Sequence, residues 1–142
     1  MRRRGNPLPS ATAFALSAGI LAAAAGPLSP AAADSHPPPQ RVVSTNVCID
    51  QLVLLLADRE QIAALSYAAA NPAQSAMAEA AAGFPLLYGQ AEEILPLEPD
   101  LVFAGNFTAR AAIALLKRFG YRIVEVPDAQ TLDDIRIAVR TV

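Results

Sequence analysis

The chain has 142 residues, with 11 Lys and Arg against 13 Asp and Glu, a formal charge of −2, one cysteine, one histidine and no tryptophan. Such a length suits one domain with a modest core, and the mild acidity argues against nucleic acid or an anionic membrane surface as a partner. A lone cysteine excludes an internal disulfide, and a lone histidine leaves no Cys and His cluster at metal-ligand spacing.

Residues 1–33 carry the three-part pattern of a secretory signal. Arg2, Arg3 and Arg4 precede an apolar, alanine-rich run from Ala11 to Ala25, and Ala31-Ala32-Ala33 offers small residues for cleavage before Asp34. The run falls short of the roughly 20 apolar residues of a membrane span. Gly5-Asn6-Pro7 is a poor continuation of a twin-arginine signal. Cys48 follows Thr45-Asn46-Val47, far from the cleavage site, which is not the context of a lipid-anchored cysteine. A soluble periplasmic protein is expected. After residue 33, 109 residues remain, with 8 basic and 13 acidic side chains and a formal charge of −5. Residues 34–40, with His36 and three prolines, read as a stiff, exposed linker.

From residue 41 onward, strand and helix patterns alternate. Arg41-Val42-Val43-Ser44 is a β-branched run and predicts the first strand. Thr45 and Asn46 can cap a following helix, with Asp50 in its first turn and Ile49, Leu52, Val53 and Leu56 on one face. Ile62 to Leu65 predicts a second strand ending at Ser66-Tyr67. Asn71-Pro72 resembles a helix start, and the alanine-rich segment to Ala82 is expected to be that helix. Phe84 to Gly89 is a loop or a very short strand. Ala91 to Leu97 predicts a short helix with Glu92 and Glu93 near its start. Pro96 removes a donor and crowds the carbonyl four residues earlier, so this helix should be tight or distorted.

A Pro-Asp turn, Pro99-Asp100, leads into the strand Leu101 to Ala104, which stops at Gly105. Thr108 to Phe119 reads as an amphipathic helix stopped by Gly120. Arg122 to Val126 is a strand ending at Pro127-Asp128. Thr131 caps a final helix, with Asp133 and Asp134 at its start. The alternation predicts an α/β fold, a parallel sheet with helices on both faces. Ligands of such sheets sit outside the C-terminal strand ends. Those ends carry Thr45 and Asn46, Ser66 and Tyr67, Gly105, Asn106 and Phe107, and Asp128, joined by Tyr88 and Gln90. This rim reads as polar and aromatic but almost uncharged, suited to a bulky, partly apolar ligand. The chain stops at Val142 inside a helix pattern, which reads as a partial protein.

Catalytic readings are weak. No histidine lies in the folded region to act as a base for a serine nucleophile. Cys48 has apolar neighbours and is expected to be a buried structural thiol. Glu92 and Glu93 are adjacent helix residues and do not face one another, which argues against a paired-carboxylate catalyst. Gly105 has no companion glycines at phosphate-loop spacing. No catalytic residue, no resident metal and no cofactor is expected.

The order of these pieces resembles the N-terminal lobe of periplasmic solute-binding proteins that serve ABC importers of iron-siderophore complexes, haem and cobalamin. The residues that carry the resemblance are Arg41-Val42-Val43-Ser44, Gly89-Gln90-Ala91-Glu92 leading into Leu97-Glu98-Pro99-Asp100-Leu101-Val102, and Phe119-Gly120-Tyr121-Arg122-Ile123-Val124 before Thr131-Leu132-Asp133-Asp134-Ile135. It spans residues 41–142 and implies two lobes joined by one long helix, the second lobe being absent here. It also implies capture of an iron-siderophore-type metal chelate for delivery to the permease subunits, so the protein would meet the membrane only through the permease. Glu92 matches the acidic residue that docks on permease arginines, and Gln90 stands where the family more usually has asparagine. A cobalamin or haem ligand is the alternative within the family. An exported α/β enzyme with catalytic groups elsewhere is the alternative of another class, and a non-functional remnant is the third.

Overall fold

Five short apolar runs supply the sheet: β1 Val42–Ser44, β2 Ile62–Ser66, β3 Leu86–Leu87, β4 Leu101–Ala104 and β5 Ile123–Glu125. The protein is represented by a computed structural model that describes residues 37–142. The export signal read at residues 1–33 lies outside them. All strand pairs are parallel, in the order β3-β2-β1-β4-β5. Parallel sheets are covered on both faces, so central strands run almost continuously apolar. Accordingly β1 and β4 are buried at every position.

Side-chain alternation then divides the core. Val42, Leu101 and Phe103 point to one face and pack with Ile49 and Val53 of α1, Val47–Leu56. Val43 and Val102 point to the other face. They meet Ala91 and Ile94 of α2, Ala91–Ile94, and Ala112 and Leu116 of α3, Arg110–Arg118. The last helix, α4 Leu132–Thr141, returns to the first face, where Ala138 and Val142 pack on the α1 cluster while Leu132, Ile135 and Val139 stay exposed. Between Val42↔Ile62 and Val43↔Ala64 the β1–β2 register shifts, so β2 places Ile62 and Leu65 on the α1 face and Ala64 on the other. Leu65, Ile94 and Leu116 are fully buried, each contributing about 1.5–3 kcal/mol.

Three local expectations meet competition from the fold, and a fourth, the tightened helix at Pro96, is met. The predicted helix from Asn71 to Ala82 is a chain of turns instead. Asn71 Oδ1 accepts from Ala73 N–H at 2.9 Å, Ser75 Oγ from Met77 N–H at 3.1 Å, and Gln51 Oε1 of α1 from Ala76 N–H at 3.1 Å. These side chains take amide protons that a helix would need. The Ala91 to Leu97 helix is α-helical only to Ile94, and Leu95–Leu97 tightens to a 3-10 turn around Pro96. The third long helix begins at Arg110 rather than Thr108, because Thr108 closes a turn on Gly105. Cys48 is exposed, not a buried thiol, since the second position of α1 faces away from the sheet.

The end of the proline linker is tied down more than an exposed linker would be. Gln40 N–H donates to Asp100 Oδ2 at 2.6 Å and Arg41 N–H to Asp100 Oδ1 at 3.0 Å. Arg41 Nε donates to Leu97 O at 2.9 Å, and Gln61 Nε2 to Pro39 O at 2.6 Å. The turn before β4 therefore also anchors the chain that leads into β1.

Candidate functional site

The sheet order reverses between β1 and β4. Thr45 follows β1, and its hydroxyl donates to Phe103 O at 3.0 Å. Thr108 Oγ1 lies 2.9 Å from Thr45 Oγ1 and accepts from Gly105 N–H at 3.1 Å. A hydroxyl has one proton. With that of Thr45 engaged by Phe103, Thr108 is the donor between the two. The relay runs Gly105 N–H, Thr108 hydroxyl, Thr45 hydroxyl, Phe103 carbonyl. It stitches the loops after β1 and β4 and leaves neither hydroxyl proton for a ligand.

Asn46 is similarly engaged. Its Oδ1 accepts from Cys48 N–H at 2.9 Å and Ile49 N–H at 3.3 Å, which caps α1. Only 8% of the residue is exposed. Its amide lies over Gly105, where an added Cβ would stand 2.2 Å from Nδ2. Thr45 and Asn46 thus form the floor of the rim rather than a set of free polar groups. Beneath them Asp50 of α1 is 0% exposed. Its carboxylate accepts from Ser66 N–H at 3.2 Å and from the Ser66 hydroxyl, tying α1 to the end of β2. Burial pushes the Asp50 carboxyl pKa up, and hydrogen bonds from Ser44 and Ser66 partly oppose the rise.

The aromatic side of the rim stands over β2 and β3. Tyr67 opens the 3-10 turn Tyr67–Ala70 that follows β2, and Tyr88 follows β3. Their rings stack with centroids 4.9 Å apart and 20° between planes, and they remain 52% and 72% exposed. Glu93 holds this geometry: its Oε2 accepts from the N–H groups of Tyr88 and Gln90, each at 3.0 Å. Between them Gly89 adopts φ +79, and a Cβ there would touch the Thr45 side chain at 3.7 Å. Only glycine takes that conformation freely. The two glutamates have separate roles: Glu93 is engaged inside the loop, whereas Glu92 is exposed on α2.

The opposite side of the rim is charged, which corrects the reading of an almost uncharged rim. Asn106 Nδ2 donates to Asp128 Oδ2 at 3.3 Å. Beside them an opening of about 360 Å³ is lined by Gly105, Asn106, Arg110, Ile113, Lys117 and Glu125. Lys117 Nζ pairs with Glu125 Oε1 at 2.6 Å. That bond and the ammonium charge hold the Glu125 carboxyl below its usual value, with Arg110 adding a smaller pull. Phe107 projects at the tip of the β4 loop, 88% exposed, and Gln90 is also exposed. A larger opening of about 770 Å³ lies by the linker, among Pro37, Asp100, Phe119 and Arg122. It belongs to the end of the sheet where strands begin.

Sequence reasoning missed Glu93, Thr108, Arg110, Lys117 and Glu125. Glu93 had a legible signal, since it stands three residues after Gln90 at capping-box spacing. Arg110 and Lys117 stand seven residues apart on one face of the predicted helix, but only the packing of α3 beside β5 brings Glu125 to them. Among the described residues no group of three or more His, Cys, Asp or Glu side chains could hold a metal ion. No helix among them is long and apolar enough to cross a membrane.

No protein-family model matches the sequence, and no curated protein matches it. Solved structures do. The chain is similar to a periplasmic heme binding protein from Pseudomonas aeruginosa, at 19% identity and a TM-score of 0.59, over 70% of this chain and 36% of that one. It is similar to the periplasmic vitamin B12 binding protein BtuF of Vibrio cholerae, at 23% identity and 0.57, over 71% and 39%. A possible iron-binding, periplasmic solute-binding protein from Staphylococcus epidermidis matches at 22% and 0.59, over 70% and 39%. This chain therefore spans well under half the length of the structures it resembles. The shared fold is α/β with a parallel sheet, and the matches cover one lobe of two-lobed binding proteins.

Proposed function

We propose that the chain is the N-terminal, ligand-capturing lobe of a periplasmic solute-binding component of an ABC importer, and not an enzyme. The cargo is a bulky metal chelate delivered to the permease subunits. The observation that carries the reading is the exposed Tyr67 and Tyr88 stack over the ends of β2 and β3, on a lobe shared with periplasmic heme, B12 and iron-binding proteins. Stacked rings left open to solvent offer a flat apolar platform to a ligand. Thr45, Asn46 and Gly105 shape the floor, while Gln90, Asn106 and Phe107 reach the cargo from its edges. A flat platform favours a planar tetrapyrrole, haem or a corrinoid, over a compact ferric siderophore.

Absorbance titration of the 142-residue chain with haem, cobalamin and ferric siderophores tests this. Tyr67→Ala and Tyr88→Ala are each expected to weaken the best ligand about 5- to 20-fold, the loss of roughly 1–2 kcal/mol of stacking and burial. Unchanged affinity in the double variant would remove the platform from the account.

Delivery to the permease is assigned to Glu92. It is exposed at the start of α2, on a different element from the rim aromatics, whereas its neighbour Glu93 is engaged within the fold. Charge reversal by Glu92→Arg in cells that rely on the protein for uptake is expected to slow uptake about tenfold, the scale of one rim ion pair turned repulsive. Ligand affinity should stay within about twofold. Normal uptake by this variant would end the docking role.

A further inference from the structure

The two sides of the rim differ in chemistry, and the charged side is unexplained by an aromatic platform. Two cations, Arg110 and Lys117, face one carboxylate, Glu125, across the opening of about 360 Å³. Lys117 satisfies Glu125 through its 2.6 Å contact. Arg110 feels Glu125 only at longer range, and among the described residues it has no ion pair of its own. Among the side chains lining the opening the balance is one positive charge in excess, and the Asp128 carboxylate beside its mouth is engaged by Asn106 Nδ2. Ile113 and Ala114 supply an apolar floor between the cations, and Gly105 and Asn106 form the mouth toward the rim.

We infer that this opening takes an acidic side arm of the ligand, a carboxylate carried on a short aliphatic tether. The inference rests on the ligand-capture reading above. Methylene groups of the arm would lie on Ile113 and Ala114. The carboxylate would meet the guanidinium of Arg110, whose planar fork matches its two oxygens, with Lys117 alongside. The same chemistry separates ligand classes. A tetrapyrrole with carboxylate arms gains from Arg110, whereas a corrinoid whose arms end in neutral amides does not. Because the cations are largely exposed, solvent and salt screen the contact, so its effect is moderate.

The test compares zinc protoporphyrin IX, which has two carboxylate arms, with its dimethyl ester, by porphyrin fluorescence. The wild-type chain should bind the free acid about fivefold or more tighter than the ester, and Arg110→Gln should erase that difference. The variant is at an exposed helix position, and an unchanged urea midpoint checks that it folds. Equal binding of acid and ester, or a preference that survives Arg110→Gln, overturns the acid subsite while leaving the capture reading intact. Failure of both porphyrins to bind counts against the tetrapyrrole platform instead. The subsite is then judged by amide NMR with sodium glutarate. Shifts at Asn106, Thr108 and Arg110 that vanish in Arg110→Gln support it, and their absence overturns it.

Discussion

Replacing Asp50 with alanine lowers the free energy of unfolding by about 3–4 kcal/mol, the scale of removing one partner from a buried charged network. Asp50 is fully buried. Its loss strands the Ser66 N–H and hydroxyl, relaxes the Ser44 hydroxyl, and opens a void beneath the rim. Urea denaturation followed by far-UV circular dichroism measures it. A loss under about 1 kcal/mol would mean that the carboxylate is not a structural tie between α1 and the sheet.

The same residue makes stability depend on pH in a defined direction. Its folded-state pKa is raised above the ordinary 3.8, with burial as the largest cause. The folded protein therefore holds this proton more firmly than the unfolded chain. That contribution is fully present below the ordinary value and is lost as pH rises through the raised one. Asp50→Asn does not titrate. The stability of the wild type relative to Asp50→Asn is thus expected to increase as pH falls toward 3.8. A pH-independent difference, or one that shrinks on acidification, contradicts the assignment.

Gly105→Ala is expected to cost about 3 kcal/mol although it adds a single carbon. Gly105 does not have a positive φ, so the penalty is contact and not backbone strain. The new Cβ would fall 2.2 Å from Asn46 Nδ2 and 2.7 Å from its Cγ. Asn46 must swing away, and α1 then loses the cap on Cys48 and Ile49. Cap loss costs roughly 1 kcal/mol and forced repacking 1–3 kcal/mol. A double-mutant cycle isolates the contact. Asn46→Ala combined with Gly105→Ala should be more stable than the sum of the single effects predicts, by about 1–2 kcal/mol. Additive effects would show that the two residues do not clash.

Much of the scaffold was legible in the sequence for local reasons. Val42-Val43-Ser44 and Leu101 to Ala104 are short apolar runs bounded by turn residues, and both are strands. Pro96 signalled the tight turn through its missing donor. Thr131 signalled the start of α4 through its capping box with Asp134. The stretch from Asn71 to Ala82 misled because its alanines favour helix, while Asn71, Ser75 and the distant Gln51 compete for its amides. Alanine content reports propensity, and tertiary partners override it. Tyr67, Tyr88, Gly105, Asn106 and Phe107 were placed at the strand ends because those ends are marked in sequence. Their mutual geometry was not.

By itself the sequence determined the α/β class, the order of strands and helices outside the stretch from Asn71 to Ala82, and which residues end the strands, because period and turn chemistry are local properties. The tertiary structure alone decided what the rim is made of. The strand order β3-β2-β1-β4-β5 stacks Tyr67 on Tyr88 and couples Thr45 to Thr108. Packing of α3 beside β5 turns Arg110, Lys117 and Glu125 into one charged opening. Tyr67 and Tyr88, and Thr45 and Thr108, lie far apart along the chain, whereas Arg110 and Lys117 share one face of α3 and meet Glu125 only from the next strand. Their meeting depends on which strands are neighbours and on the face each helix covers.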